Sequence, residues 1–163
     1  ARSEPKQVLI NLATNEKIRF DMTADSECTG AMEVDLIWQS PDGNACSDES
    51  MNSVRGCMLG NYGTAYVSDY FSECSEGRRE SITHPSAPDG AYRLQVQFVE
   101  DCASWNLNWI CLNRKGTDFT IKVYLDMDTD PRWTLHGSLG SAGDMVEWVV
   151  NKVGGVWNEP IAQ

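Results

Sequence analysis

Three groups of residues have the types and spacing to do chemistry, and each points to a different kind. The first is Asp126-Met127-Asp128-Thr129-Asp130, in which carboxylates alternate along the chain. Such a run offers hard oxygen ligands, so Asp126, Asp128 and Asp130 are the expected metal ligands, with calcium as the cation. The run departs from the EF-hand loop, because Pro131 stands where that loop needs glycine and Gly137 where it needs glutamate. The competing reading is a polar hairpin turn between Leu125 and Arg132. The second group is Cys102–Cys111, C-A-S-W-N-L-N-W-I-C. Indole rings on a restrained loop can stack on a sugar face or anchor a protein partner, and neighbouring amides can hydrogen-bond it. Trp105, Asn106, Asn108 and Trp109 are therefore the expected ligand-binding residues. The alternative is that these tryptophans fold back to cap the end of the core. The third group is what acid–base or nucleophilic catalysis would use. His84 and His136 are the only histidines. His84 precedes Pro85 at a strand end and His136 sits mid-strand, both positions that suit a structural role. No G-x-S-x-G and no phosphate-cradling glycine loop occur. Aspartate and glutamate are too abundant for a carboxylate pair to be informative. No catalytic residue is assigned, and the expectation is a protein that is not an enzyme.

Composition narrows the setting. The chain has 163 residues, 41% hydrophobic and 23% charged, which suits one ordinary globular domain. Its net charge of −11 argues against a nucleic-acid partner, because phosphate binding requires a surplus of Lys and Arg. Between Phe20 and Val54 there is no Lys or Arg, while eight Asp and Glu occur there. That stretch reads as a solvated acidic surface or as a cation site. No apolar run is long enough to span a membrane as a helix. Ala1–Gln7 is polar, so no signal peptide is visible; an exported protein would be present here in mature form. The six cysteines, Cys28, Cys46, Cys57, Cys74, Cys102 and Cys111, form no C-x-x-C pair. Zinc and thioredoxin-type sites lack support, and three disulfides in an oxidising compartment are the simplest account. Many connectivities are open; proximity favours Cys46–Cys57 and Cys102–Cys111, which leaves Cys28–Cys74.

Strand periodicity runs through the chain. Gln7–Leu12 and Lys17–Met22 are apolar-rich and flank a turn at Asn15-Glu16. In Glu33–Gln39, Val34, Leu36 and Trp38 share one face, and the strand ends at Ser40-Pro41-Asp42-Gly43-Asn44. A long polar stretch follows from Ala45 to Tyr62, and Cys46–Cys57 would restrain it. Ala65–Ser68 and Glu80–Thr83 are short strand candidates. After Pro88-Asp89-Gly90, Ala91–Val99 alternates most clearly, with Tyr92, Leu94, Val96 and Phe98 on one face. Asp118–Leu125 and Arg132–Leu139 read as two more strands. Asp144–Val153 fits a helical stripe or a strand, and its β-branched residues favour the strand. Trp38 and Trp148 are expected in the core. The fold class is therefore all-β: a single antiparallel β-sandwich domain over 1–163, jelly-roll or immunoglobulin-like, of about eight to nine strands with long disulfide-stapled loops. Residues 1–6 and 158–163 read as short tails.

Three motifs together resemble a family. They are V-D-L-I-W-Q-S-P-D-G at Val34–Gly43, the spacing D…G-R-R-E-S-I over Asp69–Ile82, and D-G-A-Y-R-L-Q-V at Asp89–Val96 followed by T-D-F-T-I-K-V-Y-L-D at Thr117–Asp126. The arrangement resembles bacterial extracellular β-sandwich domains of the YfaP-like kind, and is similar to pre-peptidase C-terminal domains. The resemblance implies a sandwich fold and a secreted, periplasmic or cell-surface location, and leaves activity undefined. The functional expectation is a non-catalytic binding or adhesion module whose partner is a carbohydrate or a protein on a cell surface. The alternatives are a structural subunit of a surface fibre or layer, assembled from copies of itself by strand or tail exchange, and, more weakly, a small secreted hydrolase.

Overall fold

A computed structural model describes residues 17–24, 32–47, 56–70, 78–101, 116–141 and 143–163. Eight strands of seven residues or more carry the architecture: β1 (Ile18–Ala24), β2 (Met32–Gln39), β5 (Thr64–Tyr70), β6 (Arg78–His84), β7 (Gly90–Asp101), β8 (Thr117–Leu125), β9 (Trp133–Leu139) and β10 (Met145–Val153). Among the described residues four two-residue strands accompany them: β3 (Ala45–Cys46), β4 (Cys57–Met58), β11 (Val156–Trp157) and β12 (Ile161–Ala162). They form two antiparallel sheets. Sheet A runs β4-β5-β6-β1-β8-β9; sheet B runs β11-β10-β7-β2-β3, with β12 also on β10. Among the described residues no helix is long and apolar enough to cross a membrane.

The strands follow from alternation. β1 buries Ile18, Phe20, Met22 and Ala24 and leaves the residues between them half-buried. β8 likewise buries Phe119, Ile121, Val123 and Leu125, with Thr120 and Tyr124 half-buried and Lys122 exposed between them. Asp144–Val153 is a strand, because β10 pairs with β7 from Met145↔Gln97 to Lys152↔Gly90. The described part of the polar stretch 45–62 contains β3, β4 and a 3-10 turn at Gly60–Tyr62. The proposed strand Gln7–Leu12 and its turn lie outside the described residues. The segment 158–163, expected to be a tail, is corrected: Ile161 and Ala162 pair with Val149 and Trp148 of the same chain. These two apolar residues gain backbone partners on the edge of β10, so the tail is spent within its own sheet.

The sheets meet over one core whose centre is aromatic. Trp38, fully buried on β2, lies 4.7 Å from Phe20 of β1 and stacks on Tyr92 of β7 at 4.9 Å. Trp157 of β11 closes the group at 6.1 Å from Trp38 and 5.4 Å from Tyr92. The Tyr92 hydroxyl donates to the Pro88 carbonyl four residues upstream at 2.7 Å, a tyrosine-corner geometry. Burial holds that hydroxyl far above its ordinary pKa, so it stays a donor. Polar bonds also cross between the sheets. Trp38 Nε1 donates to His84 Nδ1 at 3.1 Å, and the Leu36 amide donates to Glu80 Oε2 at 3.0 Å. At one flank, Cys46 of β3 is bridged to Cys57 of β4, joining the outermost strand of sheet B to that of sheet A. Nearer the other flank Phe119 packs edge-on against Trp148 at 6.0 Å. Gly137 makes room for that ring, since a Cβ there would sit 2.3 Å from Phe119.

Two predictions follow from this core. Burial lowers the His84 pKa from 6.5 to about 4, and the charge of Lys152 pushes the same way, against the hydrogen bond to the Tyr62 carbonyl. A depressed folded pKa means the unfolded chain binds the proton first. Stability is full above pH 6.5 and is lost as pH falls toward 4, by up to about 3 kcal/mol. Thermal melts across that window should show the loss, and His84→Gln should flatten it. Replacing Cys46 and Cys57 together by alanine should cost about 2–4 kcal/mol in urea unfolding, by freeing the unfolded chain and the flank.

Candidate functional site

The expected site residues fall in two places. Trp105, Asn106, Asn108 and Trp109 lie outside the described residues, as do Cys28, Cys74, Cys102 and Cys111. Asp126, Asp128 and Asp130 form the β8–β9 turn. Asp126 adopts a left-handed backbone, φ 41°, which aspartate tolerates better than most residues. Its Oδ1 accepts the Lys17 amide at 3.1 Å, while its own amide donates to the Lys17 carbonyl at 3.0 Å. Asp128 accepts the Leu125 amide and the Arg132 guanidinium, and that hydroxyl-free clamp holds its carboxyl below the ordinary range, chiefly through Arg132. Asp130 is exposed. Among the described residues no three carboxylate, histidine or cysteine side chains gather to hold a metal ion. Backbone amides and an arginine thus hold Asp126 Oδ1 and Asp128, while Asp126 Oδ2 is buried without a hydrogen-bond partner among the described residues.

The histidines divide in the same way. His84 is fully buried at the end of β6. An indole N–H can only donate, so Nδ1 accepts from Trp38, and Nε2 carries the proton toward the Tyr62 carbonyl, 2.7 Å away. Both ring nitrogens are committed. His136 is exposed on β9, with Nδ1 3.2 Å from Thr120 Oγ1. The neighbouring Ser138 hydroxyl donates to Asp118 at 2.5 Å. Serine, histidine and aspartate therefore share a face, but the serine meets the aspartate and the histidine meets a threonine.

That face is the outer side of sheet A, and register builds it in rows. Tyr66, Thr83, Arg19 and Tyr124 lie side by side across β5, β6, β1 and β8. Ser68, Ser81, Asp21, Lys122 and Thr134 form the next row. Thr23, Thr120 and His136 follow, then Asp118 and Ser138. Adjacent strands stand about 4.8 Å apart, so Tyr66 and Tyr124 are separated by about 14 Å. The side chains are lashed to one another. Arg19 lies over the Tyr124 ring at 4.3 Å and pairs with Asp21 at 3.3 Å, and Asp21 accepts the Ser81 hydroxyl at 2.6 Å. At the β8–β9 corner, Asp118, Thr120, His136 and Ser138 rim an open depression of about 440 Å³ floored by Phe119 and Gly137. The result is an array of hydroxyls and balanced charges in which Tyr124, Arg19, Asp21 and Ser81 hold one another.

Sheet B presents a different outer face. Val149 lies beside Ile161, and Val153 beside Val156. A second open depression, of about 470 Å³, lies among the Gln39–Gly43 turn, Ala91, Arg93 and Val149. Ser40 and Asn44 hold the Asp42 carboxyl on its rim below the ordinary range, and Arg93 pairs with Glu147 at 3.1 Å. No family model, no curated protein and no solved structure matches the chain.

Arg19, Asp21, Ser81, Thr120 and Tyr124 carry no motif that singles them out in the sequence, and His136 is marked there only as a structural histidine. Their signal was present as the polar half of each alternating strand. Alternation assigns a residue to a face, but not to its neighbours across four strands. Because these pairs are solvated, Arg19→Ala and Asp118→Ala should each cost under about 1 kcal/mol in urea unfolding. A larger loss would mean that the face serves the fold.

Proposed function

We propose that the chain is a non-catalytic binding module of the cell surface, periplasm or extracellular space, which recognises a glycan or a protein surface through the outer face of sheet A. The observation that carries this reading is the Tyr124–Arg19–Asp21–Ser81 chain of contacts spanning three strands. A ligand meeting side chains that are already ordered loses less conformational freedom on binding than one meeting mobile ones. Hydroxyls, a guanidinium and tyrosine rings at strand spacing suit a polyhydroxylated chain or a polar protein surface. The commitment of His84 to the core and of Ser138 to Asp118 supports a binding role over hydrolysis.

The Cys46–Cys57 bridge supports an oxidising compartment. On this reading the remaining cysteines also pair, as Cys28–Cys74 and Cys102–Cys111, and the Trp105–Trp109 loop supplies a second contact. The Tyr92–Pro88 corner favours an immunoglobulin-like sandwich over a jelly roll. The resemblance to YfaP-like extracellular domains points to the same compartment.

A glycan array and a surface pull-down with the purified chain test the proposal. Arg19→Ala with Tyr66→Ala should weaken the detected interaction by about ten-fold or more, the scale of losing anchoring side chains. Trp105→Ala with Trp109→Ala reports on the loop separately. An interaction that both pairs leave unchanged would remove this face and this loop from the function.

A further inference from the structure

The outermost strands of the two sheets are guarded in different ways, and among the described residues one of them is bare. β3 and β4 are two residues long and joined by the Cys46–Cys57 bridge. The outer edge of β10 carries β11 and β12. β9 is seven residues long, ends sheet A, and among the described residues pairs with β8 alone. Exposed edges of soluble proteins are usually blunted by a charge, a proline or a bulge. Trp133–Leu139 reads W-T-L-H-G-S-L, without Asp, Glu, Lys, Arg or Pro. Its register with β8 runs unbroken from Trp133↔Val123 to Leu139↔Thr117, so no bulge turns the edge away. On its inner side Trp133 and Leu135 pack against the core yet stay only partly buried.

We propose that β9 is the dimer edge of this protein, pairing antiparallel with β9 of a second copy. Charge selects that occupant. With a net charge of −11, most approaches of two copies bring carboxylates together, whereas Trp133–Leu139 carries none. Geometry permits it. A two-fold axis normal to the sheet pairs a strand antiparallel with its own copy and keeps both inner faces on one side. The half-buried Trp133 and Leu135 of each copy then meet apolar neighbours, and the edge amides gain partners. The outer rows of both copies join into one continuous face. The inference stands independently of the binding reading, since it uses no ligand.

Sedimentation velocity of the full chain, from micromolar to submillimolar, tests it. A reversible dimer is expected. Thr134→Glu with His136→Glu places new carboxylates on the edge, one of them opposite Lys122, and should weaken the dimer by about ten-fold or more. Tyr66→Glu, on the far side of the sheet, should leave it unchanged. Amide exchange on the unaltered protein gives a second readout, slowing within Trp133–Leu139 as concentration rises. A monomer at every concentration, a dimer insensitive to the edge carboxylates, or β9 exchange that ignores concentration would each overturn the proposal.

Discussion

The hydrogen bond from the Trp38 indole to His84 sets the placement of one sheet on the other. Apolar contacts between sheets are strong but weakly directional, and many sheet offsets would bury similar area. A buried indole N–H is different, because leaving it without an acceptor costs about 1–3 kcal/mol. His84 Nδ1 can accept only while the ring is neutral, with its proton on the Nε2 that faces the Tyr62 carbonyl. Protonation would set one donor against another, in a place where burial already disfavours the charged ring and lowers its pKa. The Lys152 ammonium nearby, bonded to the Ala87 carbonyl and lying over Trp157, adds charge repulsion against the same event.

Glu80 extends the argument along the same strand. The inner face of β6 carries Glu80, Ile82 and His84, so two of its three buried side chains are polar. Both reach β2, one to a side chain and one to the Leu36 amide. Among the described residues β3 pairs with β2 only at Trp38 and Gln39, so on the side away from β7 a carboxylate serves the Leu36 amide. The polar inner face of β6 therefore adds directional bonds to a contact that is otherwise apolar.

Once the inner faces are committed, the outer faces are free to differ, and they do. Sheet A turns outward a grid of hydroxyls, paired charges and tyrosines, while sheet B turns outward valines and an isoleucine beside one charged depression. The flanks differ as well. One is shut by the bridge between β3 and β4, and the other leaves β9 with a neutral edge and Trp133 half covered. These asymmetries separate a face suited to a polar ligand from an edge suited to a second copy.

Period-two alternation made the long strands legible, because each strand has one buried side and its apolar residues recur at every second position. It placed Val34, Leu36 and Trp38 together, it placed Tyr92 to Phe98 together, and it favoured a strand for Asp144–Val153. Cysteine proximity brought Cys46 to Cys57. Turn chemistry marked Ser40–Asn44 and Pro88-Asp89-Gly90. What alternation lacks is information across strands. That Arg19 lies beside Tyr124, that Ser138 meets Asp118 rather than His136, and that His84 meets Trp38 depend on registers between segments far apart in the chain. The alternating aspartates of 126–130 show the same limit: as a sequence they suggest ligands, and in the fold Asp126 and Asp128 hold Lys17, Leu125 and Arg132. The residues 158–163 read as a tail because two apolar residues form no period, yet β10 offered them an edge. The sequence by itself determined the strands and their faces, through local geometry. Only the tertiary structure decided which faces and edges meet, because that choice rests on directional bonds between distant residues.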